Sequence, residues 1–123
     1  MHLQESGEMY LSAIYRISLV RPEVRSIHVA EQLGFSKPSV SRALSILKEN
    51  GYLTIEKHNF IHLTDLGYTV AKKIYDRNVL LEYMLVTMGV DKETASADAC
   101  KMEHAISDTS YAAIKKYLNF ESN

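Results

Sequence analysis

At Gly51 the hydrophobic pattern changes its period, and that switch constrains this chain more than any other feature. Before it, Val40, Ala43, Leu44 and Leu47 follow helical spacing. After it, Tyr52, Thr54 and Glu56 alternate with Leu53, Ile55 and Lys57, which is the spacing of a strand. His58-Asn59 has the chemistry of a tight turn, and Phe60–Leu63 makes the returning strand. Residues 52–63 are therefore predicted to form a small hairpin between helical segments.

The flanking helices follow from apolar spacing and caps. Met9, Leu11, Ile14, Tyr15 and Ile17 predict a helix from Ser6 to Ser18, interrupted at Pro22. A short second helix fits Ile27–Leu33, with Ser26 as its N-cap and Gly34 ending it in the left-handed conformation. The third starts after Ser36, carries Pro38 in its first turn and stops at Gly51. Beyond the hairpin, Thr64 caps a helix from Asp65 to about Arg77. Val79–Met88 is apolar nearly all round, so a separate helix there should be buried on more than one side, ending at Gly89. Two more helices fit Lys92–Ile106 and Asp108 to about Leu118. The predicted fold is mostly α with a small β-hairpin, divided into residues 1–72 and 73–123.

Two short helices around a glycine turn, followed at once by a hairpin, match a winged helix-turn-helix, whose second helix enters the major groove of DNA. The candidate contact residues are Ser36, Lys37, Pro38, Ser39, Ser41 and Arg42, mostly small, polar or basic. Small side chains let the backbone approach phosphates, and Arg42 can read a guanine edge or clamp a phosphate. Net charge is only −1, but it is unevenly distributed. Residues 16–57 carry seven Lys/Arg against four Asp/Glu (7 − 4 = +3), and residues 79–123 carry four against seven (4 − 7 = −3). A basic front half suits nucleic acid even on a slightly acidic chain.

At 123 residues the chain is one ordinary domain or two very small ones. A lone cysteine, Cys100, excludes an internal disulfide and fits a reducing compartment. No basic-then-apolar leader and no apolar run of membrane-spanning length is present, so the expected location is the cytoplasm.

The segment DACKMEHAISD places three metal-capable side chains, Cys100, Glu103 and His104, within five positions. On a helix they fall within an arc of roughly 100°. Ala99, Met102 and Ile106 fall on another face, as core or dimer interface. On spacing alone the three are either a ligand set or a solvated polar face. Cys100 and His104, one turn apart, could also pair as nucleophile and base. Nothing in the sequence supplies an orienting third group or an oxyanion hole, so no enzyme activity is expected.

The stretches ESGEMYLSAIY, VAEQLGFSKPSVSRALSILKENGYL, RNVLLEYML and DACKMEHAISD resemble the diphtheria toxin repressor family of metal-dependent bacterial transcriptional regulators. The resemblance runs from about Glu5 to Leu118 and is nearest to the iron-type, two-domain form without an SH3-like third domain. It implies a homodimer that represses transcription from a double-stranded DNA operator, through a winged helix-turn-helix followed by a helical metal-binding and dimerisation domain. It also implies one divalent ion per chain, held by Met9 together with Cys100, Glu103 and His104, and thereby linking the two domains. The family's manganese branch places carboxylates where Met9 and Cys100 stand. Thioether and thiolate are softer and favour Fe(II), Co(II), Ni(II) or Zn(II) over Mn(II). Fe(II) is the expected co-repressor, with metal homeostasis genes as the expected targets. Mn(II) control, or loss of metal control, is the alternative.

One departure stands out. Asn78 and Ser96 occupy positions where the resemblance leads one to expect histidines of an ancillary site, and only Glu82 remains there. No second ion is expected. His2 is expected in a mobile terminus, His28, His58 and His62 are read as surface or phosphate-contacting residues, and neither a membrane nor a small organic substrate is an expected partner.

Overall fold

The computed structural model describes residues 5–120, so His2 lies outside the described residues. The fold class is the expected one, helices with a single two-stranded hairpin. The chain divides into two compact units, Met1–Lys72 and Lys73–Asn123.

The first unit contains α1 (Glu5–Ser18), α2 (Ser26–Leu33), α3 (Lys37–Glu49), β1 (Leu53–Ile55) and β2 (Ile61–Leu63). Its core is built from Leu11, Ile14, Val29, Val40, Leu44 and Leu53, which come from all three helices and the hairpin. The antiparallel strands pair Leu53 with Leu63 and Ile55 with Ile61. Leu53 and Ile61 are buried, whereas Thr54 and His62 are exposed, as a half-buried hairpin requires. The strands are shorter than the alternation suggests, because residues 56–60 are used for the turn. There Asn59 N donates to Glu56 O at 2.9 Å, and His58 and Asn59 both take left-handed φ values, 66° and 63°. The amide of Ile61 donates to Val24 O at 2.8 Å, which gives this edge residue of the hairpin a partner.

The predicted caps of α3 and of the helix after Thr64 are present. The amide of Ser39 donates to Ser36 Oγ at 3.3 Å, and that of Gly67 donates to Thr64 Oγ1 at 3.2 Å. The start of α2 differs from the expectation. Ser26 is its first residue rather than its cap, and Arg25 N donates to the ring nitrogen Nδ1 of His28 at 3.0 Å. His28 thus closes the helix start, a role that its reading as a surface residue does not include.

Residues 65–87 form one helix, α4 (Asp65–Thr87), in place of the two expected. The pattern does change near Val79, from amphipathic to apolar, but that marks a change of surroundings. No proline or glycine stands between Gly67 and Gly89 to turn the backbone.

The second unit comprises the rest of α4, α5 (Lys92–Met102) and α6 (Asp108–Tyr117). Ile74, Leu80, Leu81, Ala95 and Ala99 are buried in it. Ala99 is fully buried, in keeping with the core alternative for its face. Tyr83, Val86 and Met88 remain exposed on α4. Helix α5 ends at Met102 rather than at Ile106. The guanidinium of buried Arg77 takes the Ile106 carbonyl as an acceptor and bonds the Asp108 carboxylate, and Ser107 Oγ accepts from Ser110 N at 3.1 Å to begin α6. Residues 103–107 are thus occupied in joining two helices.

Lys73 and Arg77 beside Asp108 hold its carboxyl below the usual range, and the amide of Thr94 does the same for Asp91, the cap of α5. Carboxyls depressed in the folded state contribute stability above the unfolded pKa and lose it as pH falls through the folded value. Thermal melts of the chain should therefore show stability falling below about pH 4, and Asp91→Asn with Asp108→Asn should make that fall shallower. An acid profile identical for the double variant would contradict the assignment.

Candidate functional site

Helix α3 has a buried apolar face and an exposed, mostly polar one that also carries Ile46. Val40, Leu44 and Leu47 point into the core, while Lys37, Ser41, Arg42, Ser45 and Lys48 are exposed. The first turn has no acidic residue, so the positive end of the helix dipole is not offset there. Of the predicted contact residues, Ser36, Lys37, Pro38, Ser41 and Arg42 are exposed. Ser39 is half-buried and committed to the cap, where its hydroxyl accepts from Ser36 Oγ at 2.9 Å and from Arg42 Nη2 at 3.5 Å. Burial pushes the Tyr10 hydroxyl up, and the Arg42 guanidinium opposes that shift. Ser45 joins the exposed face one turn beyond Ser41. Sequence reading passed over it, although the four-residue interval was the available signal. At the tip of the hairpin Lys57, His58 and Asn59 are all exposed, and behind them Arg25 stacks over Phe60 at 4.6 Å from the ring centroid.

In the second unit, Cys100, Glu103 and His104 gather against Asn78 of α4. Asn78 Nδ2 donates to Glu103 Oε1 at 2.9 Å and approaches Cys100 Sγ at 3.7 Å. His104 Nε2 is 3.8 Å from Glu103 Oε2. The side chains of Glu103 and His104 are only 5% and 7% exposed, so they are not on a solvated face. Cys100 is exposed. Glu103, the C-cap of α5, keeps right-handed helical dihedrals, which preserves its spacing from Cys100, while His104 lies in the following turn. Thiol, carboxylate and imidazole suit a divalent transition metal in kind. Among the described residues, however, no three His, Cys, Asp or Glu side chains converge tightly enough to share an ion as they stand. Met9 is half-buried on α1 in the first unit, and Glu82 and Ser96 are half-buried in the second.

The chain matches two consecutive family models. One, described as the iron dependent repressor N-terminal DNA binding domain, covers residues 2–60. The other, the iron dependent repressor metal binding and dimerisation domain, covers residues 64–122. An uncharacterized HTH-type transcriptional regulator of Methanocaldococcus jannaschii, MJ0568, is 33% identical over 94% of this chain and 94% of its own length. The iron-dependent repressor IdeR of Mycobacterium tuberculosis is 30% identical over 95% of this chain, which spans about half (51%) of that relative. A solved manganese-dependent transcriptional repressor in complex with manganese superposes with a TM-score of 0.85 at 30% identity, over 94% of this chain and 53% of its own. The chain belongs to the iron-dependent repressor family of metal-dependent transcriptional regulators, as a helix-turn-helix unit with a hairpin wing followed by a helical unit.

Proposed function

We propose that the chain is a cytoplasmic, homodimeric repressor whose co-repressor is one Fe(II) ion per chain, held by Cys100, Glu103 and His104, and that it controls metal homeostasis genes. The observation that carries this reading is the Glu103–His104 pair. A carboxylate and an imidazole are withdrawn from water beside a thiol, in a chain of the iron-dependent repressor family. Carboxylate, imidazole and thiol together are a donor set of the kind that a divalent transition metal takes. The soft thiolate argues for Fe(II) over Mn(II). Met9 enters as a fourth ligand on the resemblance alone. The exposed Tyr83, Val86 and Met88 support a contact with a second copy, as large apolar side chains grouped on one helix segment do.

In this reading α3 lies in the major groove of a two-fold operator, Ser41, Arg42 and Ser45 face base edges, and Ser36, Lys37 and the wing residue Lys57 meet phosphates. Arg42→Ala is expected to weaken operator binding by roughly 1–3 kcal/mol and to relax preference at one base pair. Unaltered affinity and preference would remove α3 from the groove.

The reading is tested by anaerobic fluorescence anisotropy on DNA from upstream of the chain's own gene, with Fe(II), with Mn(II) and with chelator. Fe(II) should tighten binding, Mn(II) should do so less, and chelator should reverse it. A larger response to Mn(II) would transfer the site to manganese. A second reading, a regulator that has lost metal control, is favoured by the failure of three ligands to converge among the described residues. Binding indifferent to chelator would establish it.

A further inference from the structure

We propose that Arg25 is a DNA-phosphate clamp, set outside the recognition helix and aimed by the ring of Phe60. The proposal extends the reading in which α3 and the wing face DNA, and rests on it.

Arg25 is the N-cap of α2, a position that favours serine, threonine, aspartate or asparagine. Its side chain caps nothing, and no acidic residue stands in the first turn of the helix. A cation at the positive end of a helix works against the dipole. For the fold alone arginine is a poor choice here, whereas for an arriving anion it is a good one.

The chain around Arg25 is closely held. Its amide donates to His28 Nδ1 at 3.0 Å, and its carbonyl accepts from the His28 amide at 3.0 Å. One residue earlier, Val24 is buried and its carbonyl accepts from Ile61 N at 2.8 Å. That bond ties the segment to the hairpin next to Phe60. The guanidinium carbon of Arg25 sits 4.6 Å over the centroid of the Phe60 ring, and the ring of His58, at the wing tip, is 6.0 Å from it. The stack occupies a face of the cation and leaves N–H donors at its edge. Arg25 is exposed, and among the described residues no carboxylate pairs with it. Glu56, the one acid of the hairpin, stands 3.9 Å from His62 instead.

The cation is thus held before any ligand arrives, beside a wing whose tip exposes Lys57. The edge of a guanidinium matches two oxygens of a phosphate group. Contacts of this kind fix the register of a protein on the duplex without reading its sequence. Phe60 is the positioning residue, because a side chain already seated on a ring loses less freedom on binding.

The test titrates the full chain with two duplexes, one from upstream of its own gene and a scrambled version of it, with Fe(II) and with chelator, over a range of salt. Arg25→Ala should weaken binding to both duplexes by the same factor, about tenfold at low salt. It should also reduce the slope of log affinity against log salt by about 1 for each bound chain. An unchanged slope would overturn the proposal, leaving the stack as a brace for the hairpin. A loss confined to the upstream duplex would overturn it as well, by making Arg25 a base reader. Should Arg25→Ala fail to fold, Arg25→Gln takes its place, since it keeps an aliphatic stem and a planar amide while removing the charge, and its slope decides in the same way. Phe60→Leu should weaken binding several-fold, Phe60→Tyr should bind as the wild type does, and Phe60→Leu should add nothing to Arg25→Ala. Additive losses would overturn the positioning role of Phe60. A wild-type chain that binds neither duplex, with metal or without, would remove the repressor reading and the proposal with it. Wild-type binding with an Arg25→Ala slope equal to its own would remove only the proposal.

Discussion

Gly67→Ala is expected to destabilise the first unit by about 3 kcal/mol, near the upper end for overpacking, and to lower its Tm by about 10 °C or more. A Cβ at position 67 would stand 1.9 Å from the carbonyl oxygen of Tyr52 and 2.9 Å from its carbonyl carbon. Both are backbone atoms, so no side chain can swing aside. The same carbonyl accepts from Thr64 N at 3.1 Å, and Thr64 Oγ1 donates to Gly51 O at 2.6 Å. The start of α4 is thus fastened to the chain that leads into the hairpin. A methyl group must push Tyr52 away, breaking the first of these bonds and shifting buried Tyr52 and Leu53. Because the hairpin is the wing, DNA affinity should fall as well. Urea unfolding followed by circular dichroism measures the effect. A midpoint within error of the wild type would mean that the close approach does not exist in solution.

Glu103→Gln should separate stability from function. The substitution keeps the shape and still offers an oxygen to Asn78, but removes a charge from a nearly water-free place. The metal-free chain is expected to keep its fold, because the amide retains an oxygen for Asn78. Metal-dependent tightening of DNA binding should disappear, because a neutral amide is a poor ligand for a divalent ion. A lost metal response on an intact fold is the signature of a group kept for binding. A variant that loses stability and retains its metal response would show that Glu103 is a structural residue, and would return the ligand role to Cys100 and His104 alone.

What the sequence determined by itself was everything closed within a few residues. Ser36 caps α3 through Ser39, Thr64 caps α4 through Gly67, and the change of period at Gly51 marks the hairpin, each interaction spanning about one turn. Such signals read correctly because their free energy depends on neighbours already fixed by the chain. The family was legible for a related reason, since its motifs are short and contiguous. Tertiary structure decided the rest. Whether α4 breaks at Val79 depended on what surrounds an apolar stretch, not on the stretch itself. The end of α5 was set by Arg77, 29 residues before the carbonyl it captures. Asn78 reads in sequence as a lost ligand and gains a partner only when α5 lies beside α4 and brings Glu103, 25 residues on, within 2.9 Å. Gly67 reads as one helical glycine among many until the Tyr52 backbone is packed against it. In each case the deciding partner is distant in sequence. A pairing of that kind acquires energy only after the chain has folded and excluded water around it.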